Sequence, residues 1–532
     1  MATEFKKLLQ EKDFIFTFEL VPGRSVRTRH YQEILKFLEE SSQNRIFQVF
    51  SITDNAGGHP ALSPIPLGKT IKDLGLEAII HFSCKDKNRN QIESELLALD
   101  REGLRNLLVL TGDYPFYGYL GKAKPVFDLD SVLLLQMISE MEKGIELPKG
   151  APGGGVRLPG IPFFKGAVIN PFKLTPAELF WQYLKLYKKI KSGANFIITQ
   201  VGFFPYKWKE LKIIQEKGLF KVFSNLLDYQ LEDTEGDNLF KTIPLFGSIL
   251  YLTPFLANLV KKGKIPGILI TEKILKELEK ASDFEKKNIE LLAQIASVLK
   301  FLGYRGVHLC GFPLNYGKIF QFLETFQKFE GRGGEFLDKF DGIVVLDTPN
   351  GTIRREFTSF LTDNLDFSLK GRRSLTYFIN ELIHRVFFNP SNFLYRFIKK
   401  ILLGIDSSSF CKKHFTNLEY FIKKLLFNCQ ECGDCTLWEF NYYCPQSGCA
   451  KYLLNGPCGG SIAGYCEVYP FLKKCHYVSA LERSTSKGAL KKFFFPNKNF
   501  YLPPRNWELY KSSSWLNFYL ERDHHKDERR NS

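Results

Sequence analysis

Eight short apolar runs punctuate the first 312 residues of this chain, and segments of helical periodicity separate most of them. The runs are FIFTFELV (14–21), FQVFSITD (47–54), EAIIHFSC (77–84), NLLVLTGD (106–113), FKGAVIN (164–170), NFIITQVGF (195–203), IPLFGSIL (243–250) and GVHLCGF (306–312). Between them lie amphipathic stretches such as HYQEILKFLEE, NQIESELLALDREG and PAELFWQYLKLYKKIKSG. Apolar runs without strict alternation indicate strands buried on both faces, which is the mark of a parallel sheet wrapped in helices. Eight such units predict a (β/α)₈ barrel, whose usual size is roughly 250 residues plus insertions. A doubly wound sheet is the rival, but no Gly-x-Gly-x-x-Gly follows the first strand.

At 532 residues the chain exceeds what one core comfortably fills, so a second domain is expected. The fold class read from the sequence is α/β, a TIM barrel followed by a smaller helical, cysteine-rich metal-binding domain. Its expected extents are 1–330 for the barrel, 331–370 for a linker, 371–500 for the helical cysteine-rich domain, and 501–532 for a disordered basic tail. PKGAPGGGVRLPG, at 148–160, reads as a loop. Residues 242–260 are uncharged and long enough to span a bilayer, yet their Pro, Gly, Ser and Asn predict a strand, a loop and a helix start instead. The first residues carry charge and no apolar signal core, which predicts a cytoplasmic protein with reduced thiols and no membrane span. The formal charge of +16 is spread along the chain, with no dense basic block interleaved with aromatics, and so predicts no specific nucleic-acid partner.

In such a barrel the carboxyl ends of the strands carry the chemistry. Polar residues gather there: Glu19, Thr53, Asp54, His81, Asp113, Asn170 and Gln200. An unpaired carboxylate or amide within an apolar strand is costly. Glu19, between Phe18 and Leu20, is the sharpest case. Any single one of these is as readily a salt bridge closing the barrel as a catalytic group, and His81 is equally a satisfied core histidine or a ligand. Seven at one end tilt the reading toward a site.

FTFELVP, SITDNAGG, LEAIIHFSCKD, LLVLTGDYP, INP and KIKSGANFIITQ, in that order over about 300 residues, resemble the methylenetetrahydrofolate reductase family. That resemblance implies a flavin-binding barrel that reduces 5,10-methylenetetrahydrofolate to 5-methyltetrahydrofolate. By position it implies Glu19 as general acid with a raised pKa, Asp113 beside the flavin pyrimidine, and Gln200 at the folate pterin or the reductant. Thr53, His81, Gly112, Asn170, Lys188 and Lys189 match flavin-contacting positions, the lysines reaching the phosphates. The cofactor implied is FAD, with FMN as the other option, and the reductant NAD(P)H or a ferredoxin-type protein. Folate is the implied substrate, and a homo-oligomer the expected assembly. There are departures: Thr111 stands where Arg often precedes Gly-Asp, Tyr251 and Phe255 compete for the aromatic that stacks on substrate, and GVHLCGFPLN lacks a basic residue for the folate tail.

Eight of the eleven cysteines fall between 429 and 475. The spacing of Cys429, Cys432, Cys435, Cys444, Cys449, Cys458, Cys466 and Cys475 is C-x₂-C-x₂-C-x₈-C-x₄-C-x₈-C-x₇-C-x₈-C, which suits two four-thiolate sites. Zinc would hold such sites as a structural clasp. The tandem Cys-x-x-Cys steps favour [4Fe-4S] clusters instead, because three closely spaced ligands grip one cubane while a distant fourth completes it. CGDC, CPQSGCAKYLLNGPCGGS and GYCEVYP resemble the C-terminal domain found with acetogen-type members of the same family, a domain associated with iron–sulfur or zinc centres. Cys84, Cys310 and Cys411 are expected as buried thiols. Two functions follow: a reductase whose cysteine domain relays electrons from a donor protein, or a non-catalytic barrel scaffold with a zinc module binding nucleic acid or a protein partner.

Overall fold

The computed structural model describes residues 3–147, 154–227, 233–361, 373–484, 490 and 503–524. All eight apolar runs are strands: β1 Ile15–Leu20, β2 Val49–Ile52, β3 Glu77–Ser83, β4 Asn106–Leu110, β5 Phe164–Ile169, β6 Phe196–Val201, β7 Leu245–Leu250 and β8 Gly306–Cys310. Neighbours pair in parallel throughout, and β1 pairs with both β2 and β8, so the sheet closes on itself. The register shifts between Ile198 and Val201, a bulge of the kind that re-aims side chains beside a site.

Helix Glu4–Glu11 seals the amino-terminal end of the barrel. Its Phe5 sits edge-on to Phe164 and Phe196, at 5.7 and 5.4 Å, among Ile15, Val49, Ile79 and Leu108. The opposite end is left open for chemistry. The uncharged stretch 242–260 becomes β7, a turn and helix Pro254–Lys261. Among the described residues no helix is long and apolar enough to cross a membrane.

The helix after β5, Pro176–Lys191, joins the two parts of the molecule. Thr175 caps it, its hydroxyl accepting from the Glu178 backbone N–H and donating to the Glu178 carboxylate at 2.8 Å. Every residue from Ala177 to Ile190 is buried, although the sequence alternates apolar residues with Gln and Lys. An amphipathic helix on a barrel normally leaves one face wet. Here the wet face is covered by the cysteine-rich region. Trp181 stacks on Phe440 at 5.3 Å and donates to the Tyr477 carbonyl at 2.8 Å.

Two stretches differ from expectation. A linker is expected over 331–370, but Val344–Thr348 and Gly351–Arg355 form an antiparallel hairpin, because Val344, Val345 and Leu346 are an apolar run before a Pro-Asn-Gly turn. Val344 and Leu346 pack with Leu174, Leu269, Ile462 and Phe471. A disordered tail is expected from 501, but residues 503–524 fold back. Helix Ser514–Tyr519 buries Leu516 and Tyr519 against Tyr395 and Leu402, and Arg505 and His524 are buried. The basic remainder, 525–532, lies outside the described residues, as do 148–153 of the glycine-rich loop.

Replacing Trp181 by Ala is expected to lower stability by about 3–5 kcal/mol and to loosen the cysteine-rich region from the barrel. Calorimetry would show two unfolding transitions in place of one.

Candidate active site and cysteine centres

The open end of the barrel holds a cavity of about 340 Å³. Its wall includes Glu19, Thr53, His81, Gly112, Asp113, Asn170, Lys189 and Gln200, so eight positions expected from the sequence meet in one place. The strands and the turns that follow them supply all but Lys189, which comes from helix Pro176–Lys191.

Glu19 on β1 faces His308 on β8, with Oε2 and Nε2 3.8 Å apart. His308 is held from behind: its Nδ1 is 2.7 Å from the Thr17 hydroxyl and its Nε2 3.3 Å from that of Ser51. Burial pushes the Glu19 carboxyl up, but hydrogen bonding and charge from His308, the charge of His81 and a hydrogen bond from the Cys310 thiol outweigh it. The net direction is downward, contrary to the raised pKa expected for this residue. The lowering comes mainly from His308, which sits inside a strand far along the chain.

Burial pulls His81 down to about 4, so its imidazole is neutral. Its Nε2 and the Thr53 hydroxyl are buried without hydrogen-bond partners, and both residues line the cavity. Asp113 accepts from the Gly57 N–H at 2.7 Å. Gln200, on the bulge, accepts from the Val201 N–H at 2.9 Å. Asp54 does not stand free: it pairs with Lys87 at 2.6 Å and accepts from the Ser83 hydroxyl at 2.8 Å.

Three expected positions have other surroundings. Asn170 lines the cavity, but its amide already donates to the carbonyls of Gly267 and Gly459 and accepts from the Phe172 N–H. Lys188 is buried off the cavity, its Nζ without a hydrogen-bond partner and its pKa driven well down by burial. Neighbours on a helix point about 100° apart, so of the two adjacent lysines only Lys189 lines the mouth. Gln182 and Lys185 share its face at helical spacing, a signal that was present in the sequence and unread. Neither Tyr251, buried against Phe312, nor Phe255, exposed, lines the cavity.

The cysteine-rich region adds Lys451, Pro457, Cys458, Gly459, Gly460 and Glu467 to the wall. Lys451 and Glu467 form a buried ion pair, and Lys451 also donates to the Gly112 carbonyl at 2.7 Å. The approach is close enough to require glycines. A Cβ at Gly460 would lie 1.5 Å from the Glu467 carboxylate, and Gly456, at φ +135°, abuts the Lys185 stem.

The eight cysteines divide cleanly. Cys429, Cys432, Cys435 and Cys444 line one cavity, and Cys449, Cys458, Cys466 and Cys475 line another. One helical turn, Pro445–Gly448, separates them, with Cys444 and Cys449 as its caps. Burial pushes Cys429 up to about 11 and Cys475 up to about 12. Four thiolates cannot share a buried hole without a compensating cation, so the donor sets fit metal centres. Among the described residues no three cysteine sulfurs lie within 4.8 Å of one another. Of the remaining thiols Cys84 and Cys310 are buried as expected, whereas Cys411 is exposed.

The family model described as "Methylenetetrahydrofolate reductase" matches residues 4–212, and the one described as "Methylene-tetrahydrofolate reductase C terminal" matches 409–508. Together they cover more than half of the chain. The chain therefore carries a methylenetetrahydrofolate reductase domain followed by the C-terminal domain described for that reductase. A curated relative from Caenorhabditis elegans, "Probable methylenetetrahydrofolate reductase (NADPH)", is 27% identical over 201 residues, which are 37% of this chain and 28% of that relative. The chain thus spans little more than a quarter of that relative's length. Two solved structures overlap loosely. A Clostridium thermocellum protein described as binding two copies of 5-methyl-5,6,7,8-tetrahydrofolic acid is 14% identical, with a TM-score of 0.38 over 61% of this chain and 98% of its own. A 2,3-dimethylmalate lyase is 12% identical, with a TM-score of 0.33 over 63% and 88%. Such loose overlays carry no weight for the chemistry.

Removing one member of a buried ion pair strands the other. Lys451→Met is therefore expected to cost about 3–5 kcal/mol, and Lys451→Met with Glu467→Leu to recover most of it. Urea midpoints of the three proteins would measure the difference.

Proposed function

We propose that this chain reduces 5,10-methylenetetrahydrofolate to 5-methyltetrahydrofolate at the barrel mouth, with electrons arriving through its own two cysteine centres. The observation that carries the relay is Cys458, which walls both the inner cysteine cavity and the barrel cavity. A ligand shared in this way leaves no intervening layer of protein between a metal centre and a group bound at the mouth.

The mouth suits a flavin. Thr53 and His81 offer unpaired buried polar atoms of the kind a heterocycle edge satisfies. Asp113 would bring negative charge and Lys451 positive charge to the Gly112 side of it. When bound, a flavin supplies hydride chemistry. The chain's own part is the proton. Glu19, on the cavity wall with its carboxylate 3.8 Å from the His308 ring, is placed to deliver a proton to a bridge nitrogen of the folate. Gln200, its amide on the wall, is left to orient the pterin or the reductant.

For the metal, spacing favours clusters. A zinc ion bound at about 2.3 Å would draw its tetrahedral sulfurs to about 3.8 Å from one another. The tandem Cys-x-x-Cys steps at Cys429, Cys432 and Cys435 suit the larger iron–sulfur cubane, a one-electron carrier. The outer set would then receive electrons from a donor protein, and the inner set would pass them on at Cys458. The scaffold reading has no comparable support, because a degenerate barrel has no use for a buried Glu–His pair.

Anaerobically purified protein is expected to show flavin absorption with about eight irons and eight labile sulfides per chain, and Cys458→Ser to lose about half of both. Zinc without sulfide would instead make the cysteines a clasp and leave reduction to NAD(P)H. Glu19→Gln is expected to slow folate reduction by roughly 10²–10⁴-fold while flavin content stays unchanged. His308→Asn removes the chief influence holding Glu19 down, so the carboxyl pKa rises. Since the protonated acid is the working form, the alkaline limb of the kcat profile should move to higher pH. A limb that stays in place would detach His308 from the proton.

A further inference from the structure

Three consecutive helices, Leu375–Phe387, Phe393–Ser407 and Ser409–Phe427, bury their inner faces and leave a large apolar surface outside. On the inner side, Tyr395 and Leu402 pack on Leu516 and Tyr519, while Tyr420, Lys423 and Phe427 line the outer cysteine cavity. On the outer side of the second helix, Phe393, Phe397 and Ile401 recur every fourth residue and are 81%, 54% and 49% exposed. On the third, Leu418, Phe421 and Leu425 form a matching stripe at 55%, 70% and 79%. The first helix adds Leu375 and Leu382, both well exposed. Each side chain of this size is worth about 1.5–3 kcal/mol when buried, so the surface strongly favours a cover.

The charges on it have one sign. On the second and third helices the exposed charged side chains are Arg396, Lys400, Lys413 and Lys424. Three of them directly precede a stripe residue, Phe397, Ile401 and Leu425, and so line the same edge of each stripe. The acids there are withdrawn: Glu419 is buried, and Asp406 is held by Arg522 and Lys412. A protein partner would need matching acid and a fitted apolar relief along three helices. An anionic bilayer supplies both without fitting: acyl chains for Phe, Leu and Ile, and phosphates for the Lys and Arg heads, whose stems lie along the apolar surface.

We infer that this three-helix face docks on an anionic lipid bilayer, its helices lying in the plane of the interface. None of the three is long and apolar enough to cross it. The docking face points away from the outer cysteine cavity, which is lined by other residues of the same third helix.

Flotation of the full-length protein tests this, with vesicles of phosphatidylcholine alone and of phosphatidylcholine with about one-third phosphatidylglycerol. Binding to the anionic vesicles is expected to exceed that to the neutral ones by at least about tenfold and to fall in about 0.5 M salt. Phe421→Glu with Leu425→Glu, and separately Lys413→Glu with Lys424→Glu, should each cut binding by at least about tenfold while metal content is retained. No flotation with anionic vesicles, or equal flotation of parent and both variants, would overturn the proposal. A chain that stays off vesicles but forms a dimer abolished by Phe421→Glu would overturn it too, and would assign the face to a second copy.

Discussion

The carbonyl oxygens of Gly456, Pro457, Cys458, Gly459 and Ser461 accept hydrogen bonds from side chains of the barrel, and the mouth depends on that seam. Lys185 donates to Gly456 and Pro457, Gln182 to Cys458, Asn170 to Gly459, and Lys173 to Gly459 and Ser461. Burial lowers the Lys173 pKa, and a buried ammonium without acceptors would be prohibitive. The carbonyls of this glycine-rich segment provide them. The segment's small residues let the two backbones come close enough to make the bonds, so cysteine ligands and barrel wall are built from the same few residues.

The cavity is organised by sides. Glu19 and His308 come from β1 and β8, which are neighbours, whereas Gly112, which accepts from Lys451, follows β4 on the far side of the closed sheet. In the proposed reaction protons would be handled at the first wall and electrons would enter at the second. Separating the two keeps the charge of the metal centres away from the acid. The His308 ring beside Glu19 is held by Thr17 on the neighbouring β1 and by Ser51 on β2, one strand further on.

Periodicity revealed the barrel because a strand buried on both faces is mostly apolar without strict alternation, and each of the eight runs is. The strand-end residues followed from the same logic, since Glu19, His81 and Asp113 stand out against apolar neighbours. What stayed hidden was long-range. His308 looks like one more core residue until β8 is laid against β1. The Lys188–Lys189 pair reads as two equivalent bases until the helix phase separates them. Residues 503–524 looked like tail because a stretch that folds by docking onto distant helices has little periodicity of its own. The division of the cysteines into two sets of four is consistent with their spacing, but only the three-dimensional arrangement says which four share a hole.

Helix Pro176–Lys191, covered on every side, has a further consequence. Most barrel helices of this kind keep a solvated face, and a domain resting on one can leave without harm. Here departure of the cysteine-rich region would expose Trp181 to water and leave Lys185 and Lys173 without acceptors in a wall still partly closed. The two parts are therefore a single cooperative unit in assembly and in decay. A lesion in the cysteine-rich half is felt as an opening of the barrel, and synthesis of the barrel is finished only when residues more than 250 positions downstream have been made.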